Sequence, residues 1–278
     1  TDIDPKEFYE SVELQGDRGI MYGNMASYHK MCRFYSGHFY KHELVKKRKW
    51  YWRVEPNVDF FCDITYDPFV EMEKRNKKYG FTVLIPELYF TVPSLFRETK
   101  NYVKKNNIKL GSLFNLFIKE KKYATGKNAA LYDGLEKSAD ILSKVENNVV
   151  LDKFLQQQSK SDAQIASFNE DAIAELFDNV DSKPLLHEDR LDYEEYNLCH
   201  FWSNFEIAST DLFTNPIYEG YFEHLDRSGG FYKERWGDAP VHSLGVGMML
   251  DVEEIHYFRD IGYKHLTLQH CPRNHENQ

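Results

Sequence analysis

The sequence predicts a single mixed α/β domain, and three observations carry that prediction. Short strand-like stretches (WYWRVEP at 50–56, FTVLIP at 81–86, HFWSNFE at 200–206) alternate with segments of helical periodicity. At 278 residues the chain can bury a sizeable core, and its length fits one large domain carrying an insertion. Aromatic residues, 15% of the chain, can both fill that core and stack on flat apolar faces such as those of sugar rings.

Residues 1–18 are acidic and read as an irregular lead-in. From Ile20 to Leu44 the pattern turns helical, with Met25, Cys32, Tyr35 and Phe39 as its buried stripe and Tyr28, His29 and Arg33 near one another. In WYWRVEP, Trp50, Trp52 and Val54 alternate with Tyr51, Arg53 and Glu55 before Pro56 ends the strand. The strand thus delivers Arg53 and Glu55 to its C-terminal end, the edge where open α/β sheets bind ligands. Taken alone, that pair reads more readily as a surface ion pair. A helix follows over Pro68–Tyr79, closed by Gly80, then the buried strand FTVLIP, then a helix over Val92–Lys105.

Between Asn106 and Glu194 the composition shifts to Lys, Asn, Gln, Ser and Asp, which marks an insertion with helices expected at 129–144 and 163–177. The aromatic style then returns. If HFWSNFE is one strand, His200, Trp202, Asn204 and Glu206 share a face; an exposed Trp202 argues against plain solvent exposure of that face. Ile217, Tyr221, Phe222 and Leu225 recur at helical spacing, and the helix stops at Gly229–Gly230. Asp238 precedes Ala-Pro and a further apolar helix (Val241, Leu244, Met248, Met249), so it serves equally as an N-cap or as a ligand-binding carboxylate.

A net charge of −9 argues against a nucleic-acid partner. No apolar run spans a membrane and no secretory signal is present, so the chain as given is expected to be soluble or cut from its targeting segment. Cys32, Cys62, Cys199 and Cys271 form no CxxC motif and leave three disulfide pairings, or four free thiols, equally open.

The segments YGNMASYHKMCRFYSGHFYKH, WYWRVEPNVDFFCDI, NLCHFWSNFEIA, GGFYKERWGDAPVHS and HYFRDIGYKH occur in this order. They closely resemble the fungal Golgi α-1,2-mannosyltransferases of the KTR/MNT type, glycosyltransferase family 15, over about 19–96 and 196–272. The resemblance implies a GT-A-like mixed sheet flanked by helices, a GDP-mannose donor, Mn2+, a mannose-terminated glycan acceptor and retention of the α configuration. By position it implies Glu55 and His265 as metal ligands and Glu206 as the catalytic carboxylate beneath the anomeric carbon. It likewise places Tyr28, Arg53, Trp202 and Asp238 in substrate binding. Glu206 serves as nucleophile in a double displacement, or as a stabiliser of positive charge in a front-face reaction. The family's strands upstream of the Tyr28 helix have no counterpart here, so either the chain is a fragment whose first part lies outside this numbering or the guanosine site is incomplete. Residence in the Golgi lumen as a type II membrane protein is also implied by the resemblance. Two rivals remain. A catalytically inactive mannan-binding or scaffold protein need not keep Glu55, Glu206 and His265 together, and a hydrolase built on a carboxyl pair leaves the metal-ligand match unexplained.

Overall fold

Bulky aromatic and β-branched residues fill Trp50–Val54, and they form the edge strand β1 of a four-stranded sheet. The computed structural model describes residues 4–120, 190–191 and 194–272. In that sheet β1 is followed by β9 (Phe205–Ser209), β3 (Tyr79–Phe81) and β10 (Ile255–Tyr257). β9 runs antiparallel to both β1 and β3, whereas β10 runs parallel to β3, so the sheet is mixed.

Smaller ladders surround it. β4 (Leu84–Pro86) pairs with β8 (Cys199–Phe201). β11 (Tyr263–His265) lies between β2 (Val58–Phe60) and β12 (Leu268–His270). β7 (Glu194–Tyr196) lies between β5 (Ile118–Glu120) and β6 (Arg190–Leu191).

The period of two along a strand decides what each face of the central sheet buries. Trp50, Trp52, Phe205 and Ile207 face a smaller core with Met72, Phe258, Ile261 and Tyr263. On the other face, Arg53 stands opposite Glu206 and Tyr51 opposite Ala208, looking into the main core. That core is built with helices α1 (Pro5–Asp17), α2 (Ala26–Gly37), α3 (Pro68–Lys74), α4 (Leu95–Lys105), α5 (Pro216–Ser228), α6 (Gly230–Lys233) and α7 (Asp238–Met249), of which α3 serves the smaller core.

Helix α7 is apolar nearly all round and buried from Pro240 to Met248. Gly245 makes its approach to α5 feasible, because a Cβ there would stand 2.5 Å from the Tyr218 ring. α5 matches its sequence reading: Asn215 accepts a 2.9 Å bond from the Ile217 amide, Pro216 opens the helix, and Gly229 ends it at φ 80°.

Several boundaries differ from expectation. The lead-in is helical, because Asp4 caps α1 and Phe8 and Val12 insert into the core. The Ile20–Leu44 helix shrinks to α2, since Tyr22 takes a left-handed φ of 59° and a single 3-10 turn follows at Phe39–Lys41. α3 stops at Lys74 rather than Tyr79, because Asn76 turns the chain at φ 53° into β3. FTVLIP divides between β3 and β4, and α4 starts at Leu95, not Val92. The start of the expected insertion packs as core and not as a surface segment: Leu113, Phe114, Leu116 and Phe117 are buried in the main core. The helices expected at 129–144 and 163–177 lie outside the described residues.

HFWSNFE is likewise two strands, with Trp202–Asn204 as the turn between β8 and β9. The supposed single face is therefore not continuous. His200, Asn204 and Glu206 are nonetheless all buried, so none is an exposed strand face. All four cysteines are free thiols. No described helix is long and apolar enough to cross a membrane.

Candidate active site

Strand alternation sends Arg53 to the inner face at the end of β1, where the chain leaves the sheet through Glu55. Its Nε donates to Glu55 Oε1 at 2.8 Å, and Nη2 donates to the same oxygen. Nη1 donates to Asp238 Oδ2 and, at 3.4 Å, reaches Ser203 Oγ. Beneath it, the Tyr35 ring centroid lies 3.9 Å from the guanidinium carbon. The Arg53 side chain is only 10% exposed, so this is a desolvated cluster and not the surface pair the sequence alone favoured. Burial pushes the Arg53 pKa down, but the charges of Asp238 and Glu55 more than reverse that.

Asp238 does not cap α7: the cap position is Gly237, with no side-chain bond. Its carboxylate instead takes Arg53 and a 2.7 Å bond from Ser203 Oγ. Burial raises its pKa, yet Arg53 and His242 hold it below the usual carboxylate value. A helix N-terminus next to the carboxylate adds a favourable field.

Glu206 lies directly across the ladder from Arg53 and is 0% exposed. Oε1 accepts from the Tyr51 hydroxyl. Oε2 accepts from the Tyr79 hydroxyl at 2.6 Å and pairs with His242 Nδ1 at 2.8 Å. Burial raises the Glu206 pKa, but the charge and hydrogen bond of His242, helped by the two hydroxyls, bring it below the ordinary value. A fully buried carboxylate is thus kept ionised by three donors.

β2 and β11 bring the remaining candidates together. His265 pairs with Val58 in the ladder that follows the Glu55 turn. Burial holds the His265 pKa below the ordinary value, against the opposing charge of Glu55. His265 Nδ1 lies 3.0 Å from Asn204 Nδ2, while Asn204 Oδ1 accepts from the Tyr263 hydroxyl at 2.9 Å. The Trp202 ring packs edge-on at 5.2 Å. Among the described residues no three His, Cys, Asp or Glu side chains converge as a ready-made metal cage. One carboxylate and one imidazole form a partial donor set of the mixed oxygen and nitrogen type that manganese accepts, completed in such sites by ligand oxygens.

Tyr28 lies on α2 at the rim. Its ring stacks on Tyr22 at 4.7 Å, and the Arg235 guanidinium lies 5.5 Å from the ring centroid. Burial raises its hydroxyl pKa, with Cys32, Arg235 and Asp238 close enough to act on it. All seven sequence-derived residues therefore fall into one region. Arg53 bonds both Glu55 and Asp238, Glu206 is buried opposite Arg53, Tyr28 packs by Arg235, and Trp202 packs against His265.

The sequence reading missed Tyr35, Ser203, His242, Tyr51 and Tyr79. Two of these carried a signal: Tyr51 is two residues from Arg53 in a strand, and His242 is four from Asp238 in a helix. Tyr35, Ser203 and Tyr79 reach the site through turns and crossovers that no local pattern encodes.

Comparison with known proteins supplies independent findings. The family model described as glycolipid 2-alpha-mannosyltransferase matches residues 2–130 and 145–277. Probable mannosyltransferase KTR5 of Saccharomyces cerevisiae is 52% identical over 271 residues, covering 98% of this chain and 52% of the relative. Probable mannosyltransferase KTR7 of the same yeast is 55% identical over 273 residues, 96% of this chain and 52% of the relative. The crystal structure of core-mannan synthase A from Aspergillus fumigatus in its Mn/GDP form superposes with a TM-score of 0.69 at 35% identity, covering all of this chain and 58% of that one. The chain thus spans about half the length of the curated relatives it matches. A match over nearly every residue, in sequence and in fold, shows that this chain belongs to the glycolipid 2-alpha-mannosyltransferase family, glycosyltransferase family 15.

Proposed function

We propose that this chain carries the catalytic centre of a retaining α-1,2-mannosyltransferase, which moves mannose from GDP-mannose to a terminal mannose of a glycoprotein or glycolipid glycan. The observation that carries this reading is the buried Arg53 fork held between Glu55 and Asp238, with His265 on the strand β11 that pairs with β2 just after Glu55. The names of the relatives and the Mn/GDP state of the superposed structure support it. The finer assignments, Golgi lumen and attachment through an anchor outside this chain, belong to the same proposal.

Transfer breaks the bond from the anomeric carbon to the leaving phosphate oxygen and forms one to the acceptor hydroxyl, whose proton passes to a phosphate oxygen of the departing GDP. Glu55 and His265 would hold Mn2+, which when bound would supply positive charge to neutralise that leaving group. Arg53 presents a rigid fork whose guanidinium, backed by the Tyr35 ring, suits a sugar or phosphate oxygen. Asp238, ionised and buried, suits a sugar hydroxyl as a hydrogen-bond acceptor. Glu206 has both oxygens occupied by fixed donors, which supports a standing negative charge opposite the developing oxocarbenium ion and disfavours covalent attack. Tyr28 and Trp202 offer aromatic surface for sugar faces.

The test is calorimetric titration of GDP into the chain with manganese or with EDTA. Binding that needs the metal and weakens at least about tenfold, roughly 1.4 kcal/mol, in Glu55→Gln and His265→Ala supports the donor site. Equal binding in manganese and EDTA would remove the metal ligands from the reading.

A further inference from the structure

His242 lies on α7 one turn after Asp238, in a pocket walled by aromatic rings: Phe213 at 4.8 Å, Phe39 at 5.8 Å and Tyr218 at 6.1 Å between centroids. Both of its ring nitrogens face acceptors. Nδ1 is 2.8 Å from Glu206 Oε2, and Nε2 is 2.9 Å from the backbone carbonyl oxygen of Tyr35. A carbonyl can only accept. Glu206 Oε2 also accepts from Tyr79, and a neutral imidazole would turn a bare nitrogen lone pair onto one of the two oxygens. With Glu206 ionised, the arrangement is satisfied on both sides only when both nitrogens carry protons.

The second bond gives the residue its reach. The Tyr35 carbonyl held by Nε2 belongs to the residue whose ring carries the Arg53 guanidinium. One side chain therefore spans from the carboxylate of β9 to the aromatic support of β1. We propose that His242 is a positioning residue for the transfer reaction: donating from both ring nitrogens, it fixes the Glu206 carboxylate and the Tyr35 platform under Arg53 together. This rests on the functional reading above, because Glu206 and Arg53 matter only if that site transfers sugar.

The charged groups around the pair fit this assignment. Glu206 faces the ring from β9, Asp238 lies on the same helix, and Arg53 approaches from β1. Tyr51, Tyr79 and Tyr218 contribute hydroxyls whose pKa values burial pushes well up, so they stay neutral donors. Burial lowers the His242 pKa, but Glu206 in direct contact raises it above the ordinary 6.5. The stabilisation from a raised histidine is fully present below its unfolded value and is lost as pH rises through the folded one. That from the lowered Glu206 is present above the unfolded carboxyl value and is lost as pH falls through the folded one. The ion pair is thus complete in the window between the lowered carboxyl and the raised imidazole.

Ring-nitrogen NMR of the full chain labelled at histidine, with His242→Asn identifying the signal, tests the protonation directly. Above the ordinary histidine value, His242 should still show two protonated nitrogens. Asparagine can donate to Glu206 but carries no positive charge and loses the Tyr35 bond. In its pH profile for GDP release from GDP-mannose, the acid limb of kcat should move up by about one pH unit, a tenfold loss on that limb. A neutral His242 ring at neutral pH overturns the proposal, as does an unmoved acid limb in a folded, active His242→Asn chain. If the wild-type chain transfers no mannose at all, the functional reading fails, and the ring signal still decides whether His242 holds both contacts.

Discussion

Glu206→Gln is expected to abolish measurable transfer and to destabilise the fold at neutral pH by roughly 3–5 kcal/mol, the cost of leaving one member of a buried ion pair without its partner. The mutation is nearly isosteric, so packing is not the cause. It removes the charge opposite His242 and aims an amide N–H2 at the Tyr51 hydroxyl or at the Tyr79 and His242 donors. Urea denaturation monitored by tryptophan fluorescence measures the stability loss, and GDP release measures the chemistry. Adding His242→Asn to Glu206→Gln should return part of the stability, because no unpaired charge is then buried, without returning activity. A Glu206→Gln chain with near wild-type turnover would contradict every catalytic role for this carboxylate.

Arg53→Lys is expected to lower kcat/KM for GDP-mannose by roughly 30-fold, about 2 kcal/mol, while retaining the positive charge. A lysine ammonium is a point charge, and it cannot span Glu55, Asp238 and Ser203 while lying flat on Tyr35 as the guanidinium does. Arg53→Ala should cost more and should also reduce thermal stability, since Asp238 would be left buried without its paired cation, supported by Ser203, the His242 charge and the helix terminus. Steady-state kinetics and thermal melts on the two variants separate the loss of fork geometry from the loss of charge.

Strand β1 shows how far a sequence can be read without its structure. Its aromatic alternation gives both its position and the face on which Arg53 lies, because a period of two is a local property. The stop of α5 at Gly229 was equally local. HFWSNFE shows the limit: His200 on β8, Asn204 in the turn and Glu206 on β9, all buried, have the same alternating pattern as one strand. The candidate residues came from resemblance to a family, and the structure groups them. Their supports did not come that way, since Tyr79 meets Glu206 only through sheet pairing and Tyr35 meets Arg53 only through helix packing. Whether Asp238 caps its helix or binds elsewhere also depended on where Arg53 arrives from another strand.

The measurement that tests the central claim most directly is transfer of mannose from GDP-mannose to methyl α-mannoside by this chain, followed by GDP release and by linkage analysis of the product. The account predicts manganese-dependent, acceptor-dependent release with an α-1,2-linked dimannoside, lost in Arg53→Ala. Release that ignores acceptor and metal, or a product of inverted configuration, would contradict it.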